Sequence, residues 1–187
     1  MKITELEIKG VKILEPEVFE DFRGSYSESY SARTLMEYGI DNIFVQDNHI
    51  KSIKKGTLRG IHYQNNPKSQ TKLLRCTRGK ILDIVVDLRK DSTTYKKWLG
   101  VELSEENNKQ IWIPNGFGHG LLTLTDNCEI LYKVDEFYEP NLDRVIAWND
   151  PDINIDWPID NPILSSKDKN APLLKDSDCN LNMEVNK

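Results

Sequence analysis

The sequence contains little that would hold the chain at a membrane or on a nucleic acid. No run of about 18 apolar residues occurs, so no transmembrane helix is expected. The first ten residues, MKITELEIKG, lack the apolar stretch of a signal peptide. The 25 lysines and arginines are outnumbered by 30 acidic residues, and the net charge of −5 disfavours nonspecific binding to nucleic acid. A small anionic ligand is not excluded, because a few converging arginines reverse the field locally.

Cysteine is scarce, and its spacing suggests no pairing. The three cysteines, Cys76, Cys128 and Cys179, are an odd number and include no Cys-x-x-Cys pair. This pattern favours a reducing compartment such as the cytoplasm, without a disulfide framework or a structural zinc site. Because Cys76 and Cys128 lie in apolar runs, we expect both to be small buried residues within strands.

Helical periodicity is also rare. One helix is predicted at Ser31–Tyr38, with Ser31 as N-cap and Gly39 after its end, and a capped turn at Ser104–Asn108. Most apolar runs are short and separated by Gly, Pro, Asn or Asp, a pattern typical of an all-β sandwich or barrel. The predicted strands are Ile3–Ile8, Gly10–Glu15, Gly24–Tyr30, Phe44–Ile53, Thr57–Gln64, Lys72–Thr77, Lys80–Asp87, Trp98–Leu103, Gln110–Ile113, Gly120–Thr125, Cys128–Val134 and Val145–Trp148.

No interdomain linker interrupts these strands, so residues 1–170 are predicted to form one domain. Residues 171–187 are polar and lack periodicity, which predicts an extended or mobile tail. Within the domain, the run KILDIVVDLR (80–89) places only aliphatic residues on one face, namely Leu82, Ile84, Val86 and Leu88. Its other face is mixed and is predicted to line a polar cavity; it carries Ile81, Asp83, Val85 and Asp87.

Histidine is as scarce as cysteine, and two of the three lie in unusual segments. His62 belongs to LRGIHYQ (58–64) and His119 to IPNGFGHG (113–120). Because side chains alternate along a strand, Leu58, Gly60 and His62 are predicted to share a face, where Gly60 leaves space for a ligand. The glycines at 116, 118 and 120 predict a closely approached backbone. Without further context, a surface or satisfied core position is favoured over a functional role for any one histidine.

Histidine patterns typical of a metal site are missing. No His-x-His or His-x₃-His occurs, and the residue two positions after His62 is Gln64. Scattered imidazoles without an identified carboxylate make a weak ligand set.

Taken together, these segments resemble the dTDP-4-dehydrorhamnose 3,5-epimerase family. The matching stretches are FRG (22–24) with Glu28, VQDN (45–48), LRGIHYQ (58–64), KLL (72–74), VDLR (86–89), IWIP (111–114), GFGHG (116–120), YK (132–133), WNDP (148–151) and LSSKD (164–168). They follow the family order from about residue 15 to residue 168. The ordered set is specific, although each motif alone is not.

The resemblance implies a fold and an activity. The fold is a cupin-like antiparallel β-barrel, a jelly roll with few short helices, which works without metal or other cofactor and usually as a homodimer. The substrate is dTDP-4-dehydro-6-deoxy-D-glucose, which is inverted at carbons 3 and 5 to give dTDP-4-dehydro-L-rhamnose, a step toward nucleotide-activated L-rhamnose. Neither a nucleic acid nor a membrane is implied as a partner.

The resemblance also assigns roles to residues. His62 matches the general base, Asp168 the carboxylate that orients it, Tyr132 the general acid, and Lys72 a cation near the C4 oxygen. Substrate-binding positions are matched by Arg23, Glu28, Gln46, Asp47, Asn48, Arg59, His119, Asp143 and Lys167. In such barrels Arg23 and Glu28 can come from the partner subunit.

Two positions depart from the family pattern, and several other functions stay open. Gly118 stands where alanine is frequent, and Asp143 stands where a glutamate often helps to bind the substrate, so its reach is shorter. The closest alternative is an epimerase that inverts carbon 3 only or acts on another nucleotide-linked 4-keto sugar. More distant ones are a ketoisomerase, an inactive sugar-nucleotide binding module and a metal-dependent cupin oxygenase.

Overall fold

Thirteen strands dominate the computed structural model, which describes residues 1–183. The elements of this described part are β1 (Lys2–Glu5), β2 (Lys12–Glu15), β3 (Val18–Asp21), β4 (Gly24–Ser27), α1 (Ala32–Glu37), β5 (Gln46–Ser52), β6 (Leu58–Gln64), β7 (Lys72–Arg78), β8 (Lys80–Asp87), β9 (Trp98–Ser104), β10 (Gln110–Ile113), β11 (Phe117–Thr123), β12 (Cys128–Val134), β13 (Asp143–Val145), α2 (Ser166–Lys169) and a 3₁₀ turn at Leu174–Asp176.

The strands form two antiparallel sheets that face each other. One sheet has six strands in the order β1-β2-β10-β7-β12-β5, and the other has five in the order β13-β6-β11-β8-β9. A separate hairpin pairs β3 with β4. This arrangement is a jelly roll of the cupin type and confirms the predicted all-β class.

The core lies between the sheets and continues on the outer face of the five-stranded sheet. Ile81 and Val85 of β8 face the six-stranded sheet in a cluster with Leu74 and Ile130. The aliphatic face of β8 packs outward against residues after β13, including Leu174, Cys179 and Leu181. The aliphatic face is therefore confirmed, whereas the mixed face packs between the sheets and its four residues do not line the main cavity as predicted. Residues 172–183 of the predicted tail contribute buried side chains, although their sequence shows no periodicity, and residues 184–187 lie outside the described residues.

Helix α1 begins and ends where its sequence predicts. The Ser31 hydroxyl accepts from the Thr34 N–H at 3.3 Å, and Gly39 follows the helix with φ +73°. The buried Leu35 packs against Leu14 and Leu73 on the outer face of the six-stranded sheet. The predicted turn after β9 is also confirmed, since the Asn107 N–H donates to Ser104 Oγ at 3.0 Å.

Most strand bounds differ from the prediction by one to three residues; β1 and β4, for example, each end three residues earlier than predicted. Three further differences concern β3, β13 and β11. Strand β3 was missed because VFED is almost fully exposed and pairs only with β4. Strand β13 covers Asp143–Val145 rather than Val145–Trp148. Strand β11 begins at Phe117 rather than Gly120, because Gly118 and Gly120 are parts of the strand that contact β6 closely.

The predicted role of Gly60 is wrong. A Cβ at Gly60 would lie 2.6 Å from Gly120 Cα, so its missing side chain allows β6 and β11 to approach and leaves no room for a ligand. The pairing of β6 with β11 also shifts register between His119 and Leu121. As a result the alternation breaks: Leu58 packs into the core, while Arg59 and His62 both line the inter-sheet cavity.

Replacing Gly60 by alanine is expected to lower the free energy of unfolding by about 3 kcal/mol. The new methyl group would meet backbone of β11, and Gly60 has φ +138°, which L-residues rarely adopt. Urea unfolding of Gly60→Ala would measure the loss. Gly24→Ala is the matched control, because Gly24 has φ +130° with nothing within 4 Å of its Cβ position. Equal losses in the two variants would contradict the steric explanation.

Candidate active site

The main cavity has a volume of about 350 Å³ and lies between the two sheets. The five-stranded sheet contributes Arg59, His62 and His119, and the six-stranded sheet contributes Lys72 and Tyr132. The segment from β13 to α2 closes one side with Asp143, Lys167 and Asp168. The cavity thus brings together all four predicted catalytic residues and several of the predicted binding residues.

His62 and Asp168 form a hydrogen-bonded pair. His62 Nε2 lies 2.8 Å from Asp168 Oδ1, and the Asp168 side chain is 4 % exposed. The capping residue of α2, Ser165, donates its hydroxyl to Asp168 Oδ2 at 2.6 Å. Burial by itself would raise the pKa of Asp168, but the hydrogen bonds with His62 and Ser165 outweigh it and lower this pKa. The carboxylate is therefore held ionised as the acceptor, with the proton on Nε2, and Nδ1 of His62 is left to take a proton.

Lys72 is buried at the start of β7, although a lysine at a strand end is usually solvated. Burial lowers the pKa of Lys72 to about 8, opposed by the negative charges of Asp83 and Asp143. A buried ammonium of this kind can stabilise an anion that forms beside it.

Tyr132 is half-buried on β12, in the wall opposite His62. Burial and the charge of Asp143 raise its pKa, and Arg59 opposes them. The phenol consequently keeps its proton at neutral pH, as a proton donor must.

His119 contacts a carboxylate on the neighbouring strand. His119 Nε2 lies 2.8 Å from Asp83 Oδ2, and Asp83 is completely buried. Asp83, on the mixed face of β8, is therefore connected to the cavity through its contact with His119.

Asp143 lies at the cavity edge in a small polar cluster. It accepts hydrogen bonds from Lys167 Nζ and from the Tyr138 hydroxyl, the latter at 3.0 Å. Tyr138 also lines the cavity and was missed in the sequence, because it lies in a loop, FYEPNL (137–142), that shows no strand periodicity.

The predicted substrate-binding residues of β5 lie beside the main cavity. Asp47 and Asn48 line a second cavity of about 300 Å³, and Tyr132 borders both cavities. Gln46 Nε2 donates to Asn48 Oδ1 at 2.9 Å, and Gln46 Oε1 accepts from the Tyr138 N–H at 3.1 Å. Asp47 is largely exposed and pairs with Lys133 at 2.8 Å.

Arg23 and Glu28 do not line either of these cavities. Arg23 lies in the β3–β4 hairpin, where it is exposed and bound to Asp21. Glu28 follows the hairpin and accepts a hydrogen bond from the Thr34 hydroxyl at 3.3 Å. The same hairpin exposes three aromatic rings, with Phe22 98 % exposed and Phe19 and Tyr26 more than half exposed.

The described residues contain no group of three or more His, Cys, Asp or Glu placed to hold a metal ion. The three cysteines are free and buried, and Cys76 and Cys128 lie within strands as predicted. Between residues 1 and 183, none of the helices has the length and apolar character needed to cross a membrane.

Comparison with known proteins gives a consistent result. The family model for dTDP-4-dehydrorhamnose 3,5-epimerase matches residues 5–176. The enzyme of that name from Shigella flexneri is 49 % identical over 179 residues, covering 95 % of this chain and 98 % of the relative.

Solved structures agree in fold. The Bacillus anthracis dTDP-4-dehydrorhamnose 3,5-epimerase, with TDP and PPi bound, superposes with TM-score 0.91 at 47 % identity, covering 92 % of this chain and 99 % of the other. A Legionella pneumophila dTDP-6-deoxy-D-glucose-3,5-epimerase in complex with dTDP-4-keto-L-rhamnose gives TM-score 0.89 at 41 % identity, with 93 % of each chain covered. Because the family model matches residues 5–176 and the relatives are nearly half identical over almost the whole chain, the chain belongs to the dTDP-4-dehydrorhamnose 3,5-epimerase family.

Proposed function

We propose that this protein is an isomerase that converts dTDP-4-dehydro-6-deoxy-D-glucose to dTDP-4-dehydro-L-rhamnose by inverting carbons 3 and 5. The observation that carries the proposal is the placement of His62 and Tyr132 on facing walls of one cavity, beside the buried Lys72. Inversion requires that a proton leave one face of the sugar ring and return to the other, so a base and an acid on opposite walls suit it.

The reaction begins at a carbon next to the C4 ketone. Nδ1 of His62 takes the proton, the C–H electron pair becomes a C=C bond to C4, and the carbonyl π electrons move onto the C4 oxygen. Tyr132 then delivers its phenolic proton to the same carbon from the opposite face while the ketone re-forms. The imidazolium and the phenolate return to their starting states by proton exchange with water. The same sequence applies at both carbons.

Two neighbours assist these steps. Asp168 holds the proton of His62 on Nε2 and stabilises the imidazolium once it forms, because its carboxylate is ionised and hydrogen-bonded to the ring. The ammonium of Lys72 stabilises the enolate oxygen. With a pKa of about 8, Lys72 is mostly charged at pH 7 and loses this charge as the pH rises above 8.

The remaining predicted residues serve binding. Arg59 and His119 lie in the main cavity, where Arg59 suits a diphosphate and His119 the sugar. Asp143 and Lys167 contact each other at the same cavity's edge. Strand β5 carries Gln46, Asp47 and Asn48 next to the second cavity, which Tyr132 also borders. Their polar side chains suit the nucleotide.

The site is completed by a second copy of the chain. Arg23 and Glu28 lie away from their own cavity, on and just after a hairpin whose aromatic residues Phe19, Phe22 and Tyr26 are exposed. A homodimer would cover these rings and bring Arg23 and Glu28 to the partner's nucleotide. We place the enzyme in the cytoplasm, where three free buried cysteines stay reduced.

The shared site predicts complementation between two inactive variants. In mixed dimers of Arg23→Ala and His62→Ala, one of the two sites would receive both wild-type residues. Random subunit exchange should therefore restore about one quarter of the wild-type activity. A coupled assay after co-refolding would measure it, with each variant refolded alone as control. No recovery in dimers shown to be mixed would place Arg23 at its own subunit's site.

The activity itself is tested with a coupled reductase. Incubation of the protein with dTDP-4-dehydro-6-deoxy-D-glucose, a dTDP-4-dehydrorhamnose reductase and NADPH should consume NADPH and yield dTDP-L-rhamnose. Absence of that product with an active reductase would contradict the proposed function. A product inverted at carbon 3 alone would favour the single-carbon alternative.

A further inference from the structure

One charged side chain in the interior has no part in the mechanism described above. Asp83 lies in the middle of β8 and faces the space between the sheets, with 0 % of its surface exposed. Burying an ionised carboxylate costs roughly several kcal/mol of desolvation free energy, unless hydrogen bonds and an opposite charge offset this cost. The groups that contact or face Asp83 therefore indicate its role.

The two oxygens of Asp83 differ sharply. Oδ2 is bound by His119 Nε2 at 2.8 Å, whereas Oδ1 is buried and has no hydrogen-bond partner among the described residues. An ionised carboxylate only accepts hydrogen bonds, so this contact holds the proton of His119 on Nε2. The other ring nitrogen, Nδ1, is then free of the proton and available to a ligand in the cavity.

The second partner is a charge on the facing sheet. Lys72 is buried on β7 of that sheet, where burial lowers its pKa, and the negative charge of Asp83 opposes this more than that of Asp143 does. The other titratable side chains facing this cavity are Arg59, His62 and Tyr63 on β6, His119 on β11, and Tyr132 on β12. Lys167 and Asp168 approach from α2, and Tyr138 from the preceding loop.

Asp87 provides an internal comparison. It lies on the same face of the same strand and is equally buried, but both of its oxygens are bound, by Arg89, Ser92 and Thr94. Neither aspartate lines the cavity itself, but Asp83 contacts His119, which does. A carboxylate that serves the fold alone is thus fully paired on this strand, whereas Asp83 is paired only toward the cavity residues.

We propose that Asp83 is a positioning residue for the epimerisation, which holds the imidazole of His119 in its Nε2–H form and supplies the buried negative charge that keeps Lys72 an ammonium. This inference rests on the proposed function of the cavity. Asp83 does not touch the substrate, and it acts through His119 and Lys72.

The pH profile of Asp83→Asn tests the effect on Lys72. Removing the negative charge lowers the pKa of Lys72 further below 8. The alkaline limb of the profile, where kcat/KM falls as the pH rises, should therefore lie at a lower pH than in the wild type. At pH 8 the loss should be about 10–100-fold. Asp87→Asn is the matched control and should lower the Tm while leaving the position of this alkaline limb unchanged. An unshifted limb in Asp83→Asn, or an equal shift in Asp87→Asn, would overturn the role of Asp83.

Nitrogen NMR of the histidine rings tests the same proposal without activity. In the wild-type protein His119 should carry its proton on Nε2, and the Nε2–H population should fall in Asp83→Asn. A proton on Nδ1 in the wild type overturns the proposal, even if the variant fails to fold. If the wild type does not epimerise the sugar, the proposed function fails, and the NMR result still decides whether Asp83 controls His119.

Discussion

Replacing His62 by alanine is expected to lower kcat by about 10³–10⁴-fold and to abolish deuterium exchange into the sugar. His62 is the imidazole of the cavity that is bound to Asp168, and removing its ring removes the nitrogen that accepts the proton, whereas His119 is bound to Asp83 instead. Exchange and product formation should disappear together, because both begin with the same proton abstraction. Proton NMR in D₂O would follow the exchange, and a coupled assay would follow the product.

His49→Ala is the control for this substitution. His49 lies on β5 and pairs with Glu129 at 3.2 Å; its side chain is 44 % exposed and borders the second cavity but not the main one that holds His62. This variant should keep its activity within about twofold, as surface substitutions usually do. If His62→Ala still exchanged deuterium at the wild-type rate, another group would be the base and the facing-wall mechanism would be wrong.

The second large effect is expected at Tyr132. Tyr132→Phe removes the proton donor but leaves His62, Asp168 and Lys72 in place, so abstraction continues while inversion slows. We expect product formation to fall by about 10²–10³-fold and exchange to fall much less. The ratio of the two rates, measured in one NMR experiment, is independent of the amount of active protein.

Tyr38→Phe controls for the loss of a hydroxyl in general. Tyr38 follows α1, far from the cavity in the fold, and its hydroxyl donates to the Met1 carbonyl at 3.3 Å. Both rates should be unchanged in that variant. An equal loss of exchange and inversion in Tyr132→Phe would argue that the tyrosine supports binding rather than reprotonation.

Features that depend on neighbouring residues could be predicted from the sequence. The cap of α1 requires only Ser31 and Gly39, and the two faces of β8 follow from simple alternation. The buried strand cysteines follow from their apolar surroundings. Each of these patterns is completed within a few residues, so no tertiary contact is needed to recognise it.

Features that depend on contacts between distant parts of the chain could not be predicted from the sequence. Asp168 reaches His62 from a short helix more than 100 residues later, and nothing in the spacing pairs them. The register shift opposite Gly60 depends on how closely β11 approaches, which reversed the predicted face of Leu58. Without the family resemblance, His62 and Tyr132 would have been two polar residues in unrelated strands.

The environment of Lys72 illustrates the same limit. A lysine that opens a strand is usually solvated, and only the closure of one sheet over the other buries it beside Asp83 and Asp143. The segment after Ala171 is comparable, because Leu174, Cys179 and Leu181 are spaced irregularly and are buried only where the five-stranded sheet receives them. Burial of single residues in irregular segments leaves no period in the sequence.

The most direct test of the central claim is proton NMR of the wild-type enzyme with dTDP-4-dehydro-6-deoxy-D-glucose in D₂O. Proton abstraction by His62 and return from the opposite wall by Tyr132 predict that deuterium enters at both carbon 3 and carbon 5, with inversion at each. Incorporation at neither carbon, by folded protein that binds the substrate, would contradict the account.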